Sequence, residues 1–192
     1  MSFLTGTQNE VLFASVATGT QLVSFTTEDN LQKTLPPVII PAGYFFNMAA
    51  QGKSLKIKAC GRLGTTGGPT FTWSVRLLTS TTWSAGGILL GSSAALTAGT
   101  TQTLAPWFLD AELVLRTLSI GGASTAAFMG EVRGPLALAS PFAGTIPANN
   151  TAFTVTTVDN SVSYYLFLSV ACGTSNAANL IQLEMLKVYG EN

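Results

Sequence analysis

The chain has 192 residues and a mass of 20.0 kDa, enough for one well-packed domain and too little for two substantial ones. Hydrophobic residues make up 47% and charged residues only 9%, against about 25% charged in a typical soluble domain, so a disordered chain is excluded and a packed fold with an unusually neutral surface is expected. Nine bases balance nine acids and there is no histidine, which removes both the basic excess that draws proteins onto nucleic acid and the commonest general base and zinc ligand.

The first thirty residues hold Phe3, Leu4, Val11, Leu12, Phe13 and Val16 among Thr, Gly and Gln. Only a faint helical period runs through Thr7–Val16, and Met1–Ala17 lacks the Lys or Arg of a secretory signal. Residues 1–30 are therefore expected to form an N-terminal arm or edge segment, with Leu12 and Phe13 as its anchors on a neighbouring copy or partner. The alternative is that Gln21–Thr26 and the residues before it complete a sheet edge. Residues 31–192 then form the main domain. Around Val38-Ile39-Ile40 the longest apolar stretch is broken by Pro36, Pro37 and Pro41, far short of the ~20 residues of a membrane helix, so a soluble protein with no membrane partner is expected.

Farther along, Ser54–Ala59 alternates Leu55, Ile57 and Ala59 with Ser54, Lys56 and Lys58, and Thr70–Leu77 alternates Phe71, Trp73, Val75 and Leu77 with Thr70, Thr72, Ser74 and Arg76. Period two marks half-buried strands. The glycine-rich Gly61–Pro69 between them lacks the Lys-Ser/Thr ending of a phosphate loop and reads as the loop of a hairpin. Further strands are predicted over Gln21–Thr26, Tyr44–Met48, Gly87–Leu90, Trp107–Ile120, Thr125–Arg133, Thr151–Val158, Ser161–Ala171 and Ala178–Tyr189, each bounded by turn-forming residues. Gly91–Thr103 and Ala137–Asn150 read as surface loops. An all-β antiparallel chain of about eight to ten strands follows, in the size range of one sandwich or barrel.

Tyr164–Val170 is apolar on both faces, with Leu166, Leu168 and Val170 toward a core. Tyr165 and Phe167 then need a second cover, either another subunit or the chain's own loops. Between Asn30 and Leu109 stand six bases and no acid. Such segregation either steers one face onto a charged partner or lets lysines guard an edge strand over Leu55–Ala59.

Candidate chemistry is sparse. Asp110 and Glu112 share a strand face and could form a glycosidase pair, with Glu131 as a third acid, but Arg116 continues the same face and makes a solvated stripe the better reading. No acids or thiols have metal-ligand spacing, and Cys60 and Cys172 are too few for a disulfide scaffold. Neither catalytic residues nor a cofactor or metal are expected. Asn149-Asn150-Thr151 matches a glycosylation acceptor, which means little without a secretion signal. Trp73 falls on a buried strand face, whereas Trp83 and Trp107 sit beside loops and are, with Leu12, Phe13, Tyr165 and Phe167, the candidate interface residues.

The order of motifs carries a resemblance: Leu35-Pro-Pro with Ile40-Pro-Ala-Gly-Tyr-Phe-Phe46, the strand Gly52–Arg62, Thr65-Thr-Gly-Gly-Pro-Thr70 leading into Phe71–Leu77, and Ala178–Glu184 near the C-terminus. Across most of residues 35–189 this resembles small structural proteins of tailed bacteriophages, some of which are jelly-roll capsid decoration or head proteins. The resemblance implies an antiparallel jelly roll, commonly a homotrimer. Such a protein is made in the bacterial host cytoplasm and sits on the outer surface of the virion capsid, where it binds the major capsid protein and cements subunit contacts. The alternative is a carbohydrate- or receptor-binding β-sandwich module of a phage tail or fibre, which exposed Trp83 or Trp107 would favour. A hydrolase ranks below both.

Overall fold

A computed structural model describes residues 9–44, 54–117, 123–134, 142–148 and 155–191. Among the described residues there is no helix. In chain order the strands are β1 (Asn9–Ser15), β2 (Leu22–Val23), β3 (Asp29–Asn30), β4 (Val38–Ile40), β5 (Ser54–Thr66), β6 (Thr70–Leu78), β7 (Ile88–Ser92), β8 (Leu96–Thr97), β9 (Thr101–Thr117), β10 (Ala123–Arg133), β11 (Ala143–Ile146), β12 (Val155–Asp159), β13 (Tyr164–Cys172) and β14 (Leu180–Glu191). All pairings are antiparallel. The larger sheet runs β1-β14-β5-β9-β10-β11, with β12 also on β10 and β2 on β14, and the smaller runs β3-β13-β6-β7, with β4 on β13 and β8 on β6.

Stripped of its additions, this is β1-β14-β5-β9 facing β4-β13-β6-β7, the two four-stranded sheets of a jelly roll, with β10 to β12 widening the larger sheet. The topology overturns the predicted hairpin, because β5 pairs only with β14 and β9 while β6 pairs with β13, β7 and β8. Gly67-Gly68-Pro69 therefore carries the chain from one sheet to the other. Gly67 and Gly68 both lie at positive φ, +70° and +65°, where a side chain would be strained.

In the N-terminal segment, Asn9–Ser15 is a strand paired with β14 from Asn9↔Glu191 to Ser15↔Leu186. β2 adds to β14 and β3 to β13, so residues 9–30 give strands to both sheets. Phe3 and Leu4 lie outside the described residues, as do Phe45–Met48 of the strand predicted over Tyr44–Met48 and the Asn149-Asn150-Thr151 triplet. The two stretches read as surface loops hold strands instead, β8 between β7 and β9 and β11 on β10.

The inner faces carry the core. Phe71, Trp73, Val75 and Leu77 from β6 and Leu166, Leu168 and Val170 from β13 meet Leu55, Ile57, Leu63, Leu109, Leu113, Leu183 and Val188 from the larger sheet, all nearly solvent-free. Trp73 and Trp107 bridge the layers, their rings 6.0 Å apart. Trp107 lies over Gly61 and donates from Nε1 to the Gln182 carbonyl at 3.2 Å. A Cβ on Gly61 would stand 1.9 Å from that carbonyl oxygen and 2.9 Å from the indole nitrogen, so only glycine lets the ring and the β14 backbone close up here.

Candidate binding site

The two outer faces differ. On the larger sheet, β5 presents Lys56, Lys58 and Arg62 outward, and each finds an acid on a flanking strand: Lys56 with Glu191 at 2.7 Å, Lys58 with Asp110 at 3.3 Å and Arg62 with Glu184 at 2.9 Å. β5 is an interior strand, so its lysines guard no edge. Nor does the stretch of unopposed bases build a positive face. Lys33 pairs with Asp29 and Arg76 with Glu28 as well, and the segregation along the chain is cancelled in space by acids from other elements.

Asp110, Glu112 and Glu131 do come together, around a shallow depression that Met129 and Thr145 complete. Asp110 is half exposed and held by Lys58, and Glu131 is 57% exposed beside Arg133 at 3.7 Å. A general acid is made by desolvating one carboxyl of a pair, and this open, charge-paired face desolvates neither of these two. Among the described residues no group of acids and thiols is arranged to hold a metal ion. Burial pushes the Cys60 and Cys172 thiols up from their ordinary pKa, which leaves little thiolate for chemistry at neutral pH.

The smaller sheet has part of its outer face covered by its own chain. Arg76 and Phe167 are cross-strand partners there. The loop from β6 to β7 folds back so that the Trp83 ring packs on Phe167, centroids 5.6 Å apart and planes tilted by 59°. Beside it, Arg76 forms a two-pronged pair with Glu28, Nε to Oε1 at 2.7 Å and Nη2 to Oε2 at 2.8 Å, and donates from Nη1 to the Gly87 carbonyl at 3.0 Å. Ser169 Oγ donates to Glu28 Oε1 at 2.5 Å. Burial by itself would raise the Glu28 pKa, but the hydrogen bonds from Arg76 and Ser169 and the guanidinium charge outweigh it and hold the carboxyl below its usual range. One arginine thus joins the N-terminal segment, β13 and the end of the Trp83 loop.

That loop is rich in small hydroxylic residues, which turn easily because they can bond their own backbone. Ser80 Oγ accepts from the Thr82 amide at 3.0 Å and Ser84 Oγ from the Gly86 amide at 3.2 Å. Between the loop and the sheet lies an open cavity of about 510 Å³, lined by Trp83, by the hydroxylic residues Thr79, Ser80, Thr82 and Ser84, and by Leu77, Leu78, Ile88 and Tyr164. Among the described residues no charged side chain lines it.

Of the residues proposed from sequence as an interface, Trp83 lines this cavity. Trp107 is fully buried. It shares period two with Leu109, Ala111 and Leu113, a signal that its neighbouring loop obscured. Phe167 is 2% exposed under Trp83, so the second cover for the two-faced run comes from the chain's own loop. Tyr165 is half-buried beside Ile39, which is 52% exposed. Leu12 and Phe13 are half-buried and pack against the core from β1. Sequence reasoning missed Glu28, Arg76 and the loop hydroxyls, since the Glu28–Arg76 pair spans 48 positions.

No known protein family matches the chain, and no curated protein does. Among solved structures, it is similar to the CBM2 module of the evolved Dit of Lactobacillus casei BL23 phage J-1, at 9% identity over 97% of each chain with a TM-score of 0.38.

Proposed function

We propose that the chain is a non-enzymatic recognition module of a phage tail or fibre, which holds a glycan or glycan-bearing receptor with the Trp83 face of its sandwich. The observation that carries this reading is the cavity itself: a half-buried indole set beside a row of hydroxyls, at a volume within the roughly 300–1,000 Å³ usual for ligand sites. Aromatic surface and hydrogen-bonding groups together suit a ligand with apolar faces and polar rims. The phage assignment rests on the resemblance of the strand motifs to tailed-phage structural proteins.

Titration of the purified protein with polysaccharide extracted from the host cell surface tests it. Trp73 and Trp107 are fully buried, so a change in the iodide-quenchable part of the tryptophan fluorescence reports on Trp83. Binding that Trp83→Ala abolishes without unfolding supports the reading, and equal binding by the variant overturns it.

A second reading, capsid decoration by a homo-oligomer that cements the major capsid protein, is favoured by the larger sheet's outer face. There Phe108, Val114 and Met129 are 46%, 40% and 52% exposed among paired charges on a chain of zero net charge, a surface with little to hold copies apart. Imaging the intact particle separates the two. A ring or spike at the tail supports recognition, and a regular array over the head supports decoration.

A further inference from the structure

We infer that the Trp83 cavity is built for an uncharged sugar ring and discriminates against anionic glycans. This rests on the recognition reading above and deepens it by naming the ligand's chemistry.

Three features of the site converge. Trp83 is braced from behind by Phe167, so its orientation is set before any ligand arrives and little ordering cost remains on binding. An indole face matches the C–H face of a pyranose, which is the apolar side of an otherwise polar molecule. Ser80 and Ser84 are fixed as acceptors of loop amides, which positions each oxygen while its O–H still rotates to donate, and Thr79 and Thr82 add two more hydroxyls. Hydroxyls that both donate and accept are the natural complement of sugar hydroxyls, which do the same.

Charge decides the class. A uronate, sialate or phosphate-bearing glycan needs a cation or an array of amides, and among the described residues the lining offers no charged group. Arg76 is the cation that reaches the loop, through Gly87, but both of its Glu28 contacts are made and its side chain is only 15% exposed. Its field is cancelled by a carboxylate held ionised at neutral pH. An anion in the cavity would lose water without gaining a counter-charge, which is unfavourable.

The test is a protein NMR titration of the intact chain with methyl glucoside, galactoside and mannoside and N-acetylglucosamine, and in parallel with glucuronate and glycerol phosphate, each at low and high salt. The expected result is movement of the Thr79–Ile88 amides with at least one neutral sugar and with neither anion, at an affinity that salt changes less than about twofold because no ion pair is formed. Trp83→Ala should remove the response, and Ser80→Ala with Ser84→Ala should weaken it by about tenfold, on the scale of a hydrogen bond or two. Anions that move the same amides, or a neutral response that maps elsewhere, overturn the inference. Silence from every neutral sugar also overturns it, and if host polysaccharide still binds in a Trp83-dependent way, the recognition reading survives alone. If the polysaccharide fails as well, both fall.

Discussion

The two outer faces of this sandwich are made of similar strands and do opposite things. On the larger sheet, charges of both signs alternate across β14, β5 and β9 and satisfy one another while staying partly exposed. The smaller sheet carries few charges outward and is partly covered: the Trp83 loop lies on Phe167, and Glu28 is drawn onto Arg76 and Ser169. A ladder of exposed pairs contributes solubility and little stability, whereas a covered face creates a recess, and recesses are where ligands gain contact on several sides. Function is thus expected where loops fold back, not where the titratable residues are densest.

The sharpest way to break that contrast is Arg76→Ala. It leaves Glu28 partly buried without its cation and releases the Gly87 carbonyl, and removing one partner of a buried pair costs about 3–5 kcal/mol. The exposures of 15% and 18% put the expected loss near the lower end, at about 3 kcal/mol. Thermal unfolding checks it, with a midpoint lowered by about 6–12 °C for a chain of this size, and a change of less than ~2 °C would show that the cover is not held by this pair.

Acid probes the same contact more gently. Because the Glu28 pKa is lowered in the folded state from its ordinary 4.5, the folded protein binds this proton less readily than the unfolded chain. Its stabilisation is therefore complete above the ordinary pKa and is lost as pH falls through the lower folded value. Urea unfolding between pH 6 and pH 3, expected to fall toward acid in the native protein and to fall less steeply in Glu28→Gln, checks this. Equal slopes would remove Glu28 from the account.

Trp83→Ala should cost about 1–2 kcal/mol, since it strips the cover from Phe167 and forfeits one tilted aromatic pair. Near-ultraviolet circular dichroism and denaturant unfolding would show a local loss with the sandwich intact, and cooperative collapse would mean that the loop is part of the core after all. Smallest of all is Asp110→Asn with Glu112→Gln on the open face. Its effect on stability is expected to stay within about 1 kcal/mol, and any hydrolysis of glycosides present in the native protein and absent in this variant would overturn the non-enzymatic proposal.

Much of the strand content was legible because burial on one face of a sheet imposes period two, and β5, β6 and β14 state that period plainly. Where the rule was applied consistently it placed Trp73 correctly, and it would have placed Trp107, which alternates in phase with Leu109 and Leu113. β1 shows no clear period two because a bulge between Val11 and Phe13 interrupts its alternation. The site was barely legible: Trp83 was singled out, yet the hydroxylic residues around it are ordinary loop residues, Arg76 falls on the polar side of its strand pattern, and Glu28 carries no local signal.

By itself, then, the sequence determined a packed, neutral, all-β chain and which residues of its main strands face inward, because those properties follow from composition and from the geometry of a single strand. Only the tertiary structure decided which strands pair, sending β5 and β6 to opposite sheets. It also neutralised an apparently basic stretch with acids from distant elements and covered Phe167 with the chain's own loop. Strand pairing and ion pairing join residues tens of positions apart, and the free energy that selects them belongs to the assembled core, so no local pattern can carry it.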